Sequence, residues 1–301
     1  EDPTQILNSV DSEGDDGYLQ NFLDVFCTEM VASLEKAADI KERDPTPLEA
    51  DVAAHVAIAM THQDYYYPSQ YSTLIQESVL RYLDDKSITS PFYVHGPIGS
   101  GKTFLISHLL KEILDLKTDD SVAIIRFVGS GHSTSTGIEL MSSLCEQMIS
   151  IIGTIDATYE PRELPHTFED MAHTFPKILK LFAERRKNLI IFLDGLDTLS
   201  SKDVSEPALL FSWLPTILPR GVKIVYTGDS KAGSHAALAS LSQGNDVKID
   251  KWGWADVEGF IDSKLEKRGR KITLDQRDYV QKCVGDFSTP LTAQLIMHEV
   301  A

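Results

Sequence analysis

The chain has 301 residues, 42% hydrophobic and 24% charged, with a formal net charge of −17. That length suffices for a full α/β core and one smaller domain. The acidic balance argues against broad electrostatic binding of nucleic acid, no stretch stays apolar long enough to span a bilayer, and Cys27, Cys145 and Cys283 form no C-x-x-C pair for a zinc site or disulfide frame.

The chain opens at Glu1, shows no signal peptide and stops inside an apolar helical pattern, Leu295 to Ala301, so it reads as a piece of a longer intracellular protein. Asp11, Glu13, Asp15 and Asp16 make the start an acidic, linker-like leader. Phe22, Leu23, Phe26, Met30, Val31 and Leu34 then predict a helix from Tyr18 to about Lys41, with Asp16 as its N-cap. A second helix is predicted from Pro47 to about His62. Its stripe of Leu48, Val52, Val56 and Met60 is a packing face for the main domain or a surface for another protein. An aromatic loop, Tyr65-Tyr66-Tyr67-Pro68, leads into a helix from Tyr71 to about Leu83.

Next comes the most informative run, Phe92-Tyr93-Val94-His95-Gly96-Pro97-Ile98-Gly99-Ser100-Gly101-Lys102-Thr103. An apolar strand breaks into a glycine-rich loop that completes G-x-x-x-x-G-K-[ST] and enters an apolar helix at Phe104. Glycines let successive backbone N–H groups turn toward a phosphate, and the helix N-terminus adds its positive end. Lys102 can reach the β- and γ-phosphates, and the Thr103 hydroxyl can ligate Mg²⁺. Gly96 through Phe104 are therefore the candidate nucleotide-binding residues.

Downstream, strand and helix signals alternate. Strands are predicted at Val122 to Val128, Leu189 to Leu193, Val222 to Tyr226 and Val247 to Ile249. Helices are predicted at Ile138 to Ile152, Thr167 to Arg186, Leu209 to Leu218 (broken at Pro215) and Ala232 to Leu241. This pattern implies a doubly wound parallel sheet covered on both faces. From Trp252 the strand signal ends, and Ala255 to Lys267, Leu274 to Val284 and Pro290 to Val300 read as a small helical subdomain. The domain expectation is an acidic leader with N-terminal helices over 1–70, a P-loop domain over 71–250 and a truncated helical subdomain over 251–301. The apolar strand Leu189 to Leu193 ends in Asp194, which would sit beside Mg²⁺ at the strand's C-terminal end. Asp197 is a candidate to orient an attacking water, or simply an N-cap. His132, His166, His173 and His235 lack metal-ligand spacing.

With the phosphate loop, Phe192-Leu193-Asp194-Gly195-Leu196-Asp197, Arg126-Phe127-Val128-Gly129 and Leu218-Pro219-Arg220-Gly221, the chain resembles NACHT domains of the STAND group. It is most similar to those of WD- or TPR-repeat proteins, the nephrocystin and telomerase-associated types. The resemblance implies an ATP- or ADP-binding cytoplasmic switch that controls conformation and self-assembly, with slow Mg²⁺-dependent hydrolysis. It also implies that Pro290, in Ser288-Thr289-Pro290-Leu291, packs near adenine, and that Thr227 contacts phosphate. The chain departs from the family in four places: Thr198 follows the second acid, Thr227 leads into Gly228-Asp229 rather than Ser-Arg, Ser288 replaces a glycine, and Tyr66-Tyr67-Pro68-Ser69-Gln70 replaces Gly-Arg-Glu. The implied partners are nucleotide and, in the longer protein, self-association or repeat domains. Rival readings are an efficient ATPase or kinase, for which Arg220 is a loose arginine-finger candidate, and a nucleotide-free scaffold.

Overall fold

Strands β1 (Phe92–Gly96), β2 (Ser121–Phe127), β3 (Asn188–Asp194), β4 (Val222–Asp229) and β5 (Asp246–Lys248) form one parallel sheet in the order β2-β3-β4-β1-β5. The molecule is seen in a computed structural model that describes residues 44–63, 66–115, 121–160, 163–185, 188–204, 206, 209–284 and 287–300. Asp16 and the helix expected from Tyr18 to Lys41 lie outside the described residues. Pro47–Ala301 is one compact unit.

The strands are apolar on both faces because both are covered. On one side lie α1 (Pro47–Gln63), α2 (Gln70–Asp84) and α3 (Lys102–Asp115), where Val79, Tyr82, Leu105 and Leu109 pack on Val94, Ile125 and Phe192. On the other lie α4 (Gly137–Ile155), α5 (Phe168–Arg185) and α6 (His235–Leu241). There Leu144, Met148, Phe175 and Phe182 pack on Ile191, Ile224 and Tyr226. Thr136 and Glu139 start α4 with a reciprocal capping box. By length and composition α4 alone among the described helices could cross a membrane. Here Leu140, Met141, Leu144, Met148 and Ile152 are buried in the core.

After β5 the chain forms β6 (Trp252–Gly253), α7 (Trp254–Glu266), α8 (Leu274–Val284), β7 (Phe287–Ser288) and α9 (Pro290–Val300). Their core of Trp252, Val257, Phe260, Ile261, Val280 and Ala293 reaches back to Tyr67. Tyr67 meets Trp252 and Phe260 edge-on, at 5.8 and 5.9 Å between ring centroids. Its hydroxyl fills the place a Cβ on Gly259 would take.

Three expectations are corrected. Residues 209–218 are not a helix but a run of turns, with bonds from Leu209 N to Glu206 O, Ser212 N to Leu209 O and Leu214 N to Phe211 O. Pro215 and Pro219 lack the N–H groups a helix needs, and buried Trp213 holds the turns to the core. The apolar stripe of α1 is not its main packing face: Val56 and Met60 are exposed, Leu48 and Val52 are half-buried, and the buried side chains are His55 and Ala59. The strand signal does not end at Trp252, because β6 and β7 pair antiparallel through Trp252↔Ser288 and Gly253↔Phe287.

The polar face of α1 docks by a buried network. Arg126, 1% exposed, donates from Nε to Ser143 Oγ at 2.7 Å and lies 3.5 Å from Asp51. Asp51 also accepts from Ser143 at 2.7 Å and from the Ser133 hydroxyl. His55 Nδ1 accepts the Phe127 N–H at 3.2 Å. Burial pushes His55 down to about 4, against the pull of Asp51.

Candidate functional site

The parallel sheet sends the C-terminal ends of β1, β3 and β4 to one edge, where α3 begins. The phosphate loop runs from Gly96 to Thr103 between β1 and α3. Gly99 and Gly101 have φ of +77° and +92°, which L side chains rarely adopt, so glycine is required at both. At Gly96 the reason is space: a Cβ would stand 2.7 Å from Ile249 O and 2.9 Å from Ser100 Oγ. Ile98 projects from the loop, 78% exposed, and Pro97 O accepts the Ser100 N–H at 3.1 Å.

Lys102 folds back over this loop. Its Nζ donates to Gly96 O at 2.8 Å and Pro97 O at 3.0 Å. Burial lowers its pKa, while the carboxylates of Asp194, Asp197 and Asp229 raise it. Thr103 Oγ1 donates to Asp194 Oδ2 at 2.6 Å. Thr227 Oγ1 donates to Asp194 Oδ1 at 2.6 Å and accepts the Gly195 N–H at 2.8 Å. Burial pushes Asp194 above the usual carboxylate range, and the two threonines and Lys102 oppose that. So Lys102, Thr103, Asp194 and Asp197 come together. Thr227 joins them through Asp194, its one hydroxyl proton committed there.

Phe104 lines a narrow cavity beside the loop with Tyr66, Tyr67, Ile249, Trp252 and Pro290. Pro290 Cγ lies 3.2 Å from the ideal Cβ position of Gly101, and Leu291 N donates to Gly99 O at 3.3 Å. The start of α9 thus rests directly on the phosphate loop. A larger cavity, about 380 Å³, lies at the opposite edge of the sheet, lined by Leu83, Ile113, Ile190, Arg220 and Lys223. No phosphate-loop residue lines it, and its position removes Arg220 as an arginine finger for this chain's own loop.

Sequence reasoning missed His62, Tyr93 and Asp229. His62 packs on Phe104 at 5.3 Å, and burial lowers its pKa against the opposing pull of the Asp194 charge. Tyr93 OH bonds His235 Nδ1 at 3.1 Å. A Cβ on Gly228 would stand 2.8 Å from that hydroxyl and 3.3 Å from Asp197 Oδ1. No local pattern marks these residues; the pairing of β1 with β4 brings Tyr93 and Asp229 to the site, and the packing of α1 on α3 brings His62.

A nucleotide phosphate with Mg²⁺ fits this donor set. Thr103 and Asp194 offer the hard oxygens Mg²⁺ prefers, the glycines form a cradle that a Cβ would fill, and Ser100 Oγ is buried without a hydrogen-bond partner. The nephrocystin 3 N-terminal family profile matches residues 71–227, more than half of the chain. The chain belongs to the nephrocystin 3 N-terminal family. Relatives of this nephrocystin-type chain carry NACHT domains. Human NACHT and WD repeat domain-containing protein 2 is 25% identical over 260 residues, 83% of this chain and 14% of that protein. Mouse NACHT domain- and WD repeat-containing protein 1 is 24% identical over 222 residues, 72% of this chain and 14% of that protein. The chain therefore spans a small part of the curated relatives it matches. Among solved structures, the Walker-type ATPase of Pyrococcus abyssi superposes with a TM-score of 0.46 at 14% identity, over 75% of this chain and 64% of that one. The described fold, the family profile and the two NACHT relatives together make this a NACHT-type P-loop nucleotide-binding domain.

Proposed function

We propose that the domain binds ATP or ADP with Mg²⁺ and uses the bound state to set the position of its helical subdomain. It serves as a cytoplasmic switch for conformation and self-assembly within a larger protein. The observation that carries this reading is the grip of α9 on the phosphate loop, through Leu291 N on Gly99 O and Pro290 on Gly101. A ligand that reorders the loop acts on the same backbone that holds α9.

Each residue has a distinct task. Lys102 moves its ammonium from the Gly96 and Pro97 carbonyls to phosphate oxygens. Thr103 and Asp194 hold the metal, and Thr227 keeps Asp194 oriented. Bound Mg²⁺ supplies positive charge that offsets the phosphates. Tyr66, Trp252 and Pro290 form the walls against which a base packs, and the cavity, about 30 Å³, must widen to admit it. Asp197 orients water for attack. With Thr198 beside it rather than an acid, hydrolysis is slow and the nucleotide state persists.

Hydrogen exchange with and without ADP and Mg²⁺ tests this. Protection is expected in the loop Gly96 to Thr103 and at the start of α9 together. Protection of the loop with residues 290–300 unchanged would refute the switch.

A further inference from the structure

The end of β4 carries a carboxylate that the nucleotide reading leaves unused. The β1–β4 register sets Asp229 opposite Gly96, and Ser230 N donates at 3.3 Å to the Gly96 carbonyl. That same carbonyl accepts Lys102 Nζ at 2.8 Å. The Asp229 side chain is held in place, since its Oδ1 accepts the Lys231 N–H at 3.0 Å. Asp197 approaches the same strand end from β3, 3.3 Å from the ideal Cβ position of Gly228. That glycine cannot carry a compensating side chain, because Tyr93 OH and Leu238 fill the space. Lys231, the next cation along the chain, is exposed and screened by solvent. Ser100 Oγ, 3% exposed and without a hydrogen-bond partner, marks the loop beside this strand end as built for a ligand.

From this geometry we infer that Asp229 is a specificity-determining residue that makes the site favour a nucleoside diphosphate over a triphosphate. The inference rests on the nucleotide-binding reading above and deepens it. One lysine faces three carboxylates, Asp194, Asp197 and Asp229. A single Mg²⁺ beside Asp194 balances that excess for a diphosphate. A further phosphate brings more negative charge to Lys102, which Asp197 and Asp229 already share. Repulsion at this range in a partly solvated site is worth on the order of threefold to tenfold in affinity per charge.

The test is calorimetric titration of ADP and of the β,γ-methylene analogue of ATP, both with Mg²⁺, into the parent chain and Asp229→Asn. Asparagine keeps an oxygen for the Lys231 N–H and loses only the charge. The parent should bind ADP at least about tenfold tighter than the analogue. Asp229→Asn should narrow that ratio on the order of threefold to tenfold, by strengthening the analogue and leaving ADP nearly unchanged. Asp229→Ser, which removes the charge by another route, should do the same. An unchanged ratio, with both ligands still bound, would overturn the role of Asp229. Failure of the parent to bind either ligand would overturn the nucleotide reading itself, and this inference with it.

Discussion

Pro290 Cγ lies 3.2 Å from the point where a Cβ on Gly101 would stand. Together with the Leu291 N–H on Gly99 O, this contact joins the subdomain to the phosphate loop, and the missing side chain makes it possible. Gly101→Ala forces φ of +92° on an L residue and pushes Pro290 outward. The expected cost is about 1–3 kcal/mol of stability, measured by urea unfolding. Faster exchange at the start of α9 should accompany it. A variant as stable as its parent would show that the contact is loose.

Gly228→Ala sets a methyl against Tyr93 OH, 2.8 Å away. Overpacking of this kind costs roughly 1–3 kcal/mol. Tyr93→Phe removes the obstructing oxygen, at the loss of its bond to His235, about 0.5–1.5 kcal/mol. The double variant should be more stable than the sum of the two single changes predicts. Simple additivity in melting experiments would place the clash elsewhere.

His55 is buried neutral, with its Nδ1 accepting from Phe127 N and its pKa pushed down to about 4. The unfolded chain protonates it near its ordinary pKa of about 6.5. Its contribution to stability is thus complete above pH 6.5 and is lost as pH falls toward 4. Unfolding free energies at several pH values should fall across that window in the parent. His55→Gln should flatten this part of the profile; an identical slope in both would remove His55 as the cause.

Asp194→Asn replaces a buried carboxylate by a neutral group of the same shape. Burial raises the Asp194 pKa, so the charged form costs the empty fold stability. The melting temperature without ligand should hold or rise, and the Mg²⁺ dependence of nucleotide binding should disappear. Retained Mg²⁺ dependence would remove Asp194 from the metal site.

Much of this was legible in the sequence. The phosphate loop, the acid at the end of β3 and the alternation of strands and helices are local patterns. What escaped depends on long-range placement. The inward face of α1 could not be read from its apolar stripe, because Asp51 and His55 dock through partners far along the chain, Arg126, Ser143 and Phe127. Asp229 looked like a departure from a family pattern; only the pairing of β4 with β1 sets it opposite Gly96, whose carbonyl accepts Lys102 Nζ. The turns at 209–218 deceived because their apolar spacing is helical while their prolines forbid a helix.

We propose that this loop holds a nucleotide through Lys102. The most direct measurement is calorimetric titration of ADP with Mg²⁺ into the chain stripped of any co-purified nucleotide, alongside Lys102→Ala with its fold checked by circular dichroism. The parent should show saturable one-to-one binding, weakened at least about tenfold in the variant, since one cation contacting two phosphates is removed. Equal affinity in the two, or no binding by the parent, would contradict it.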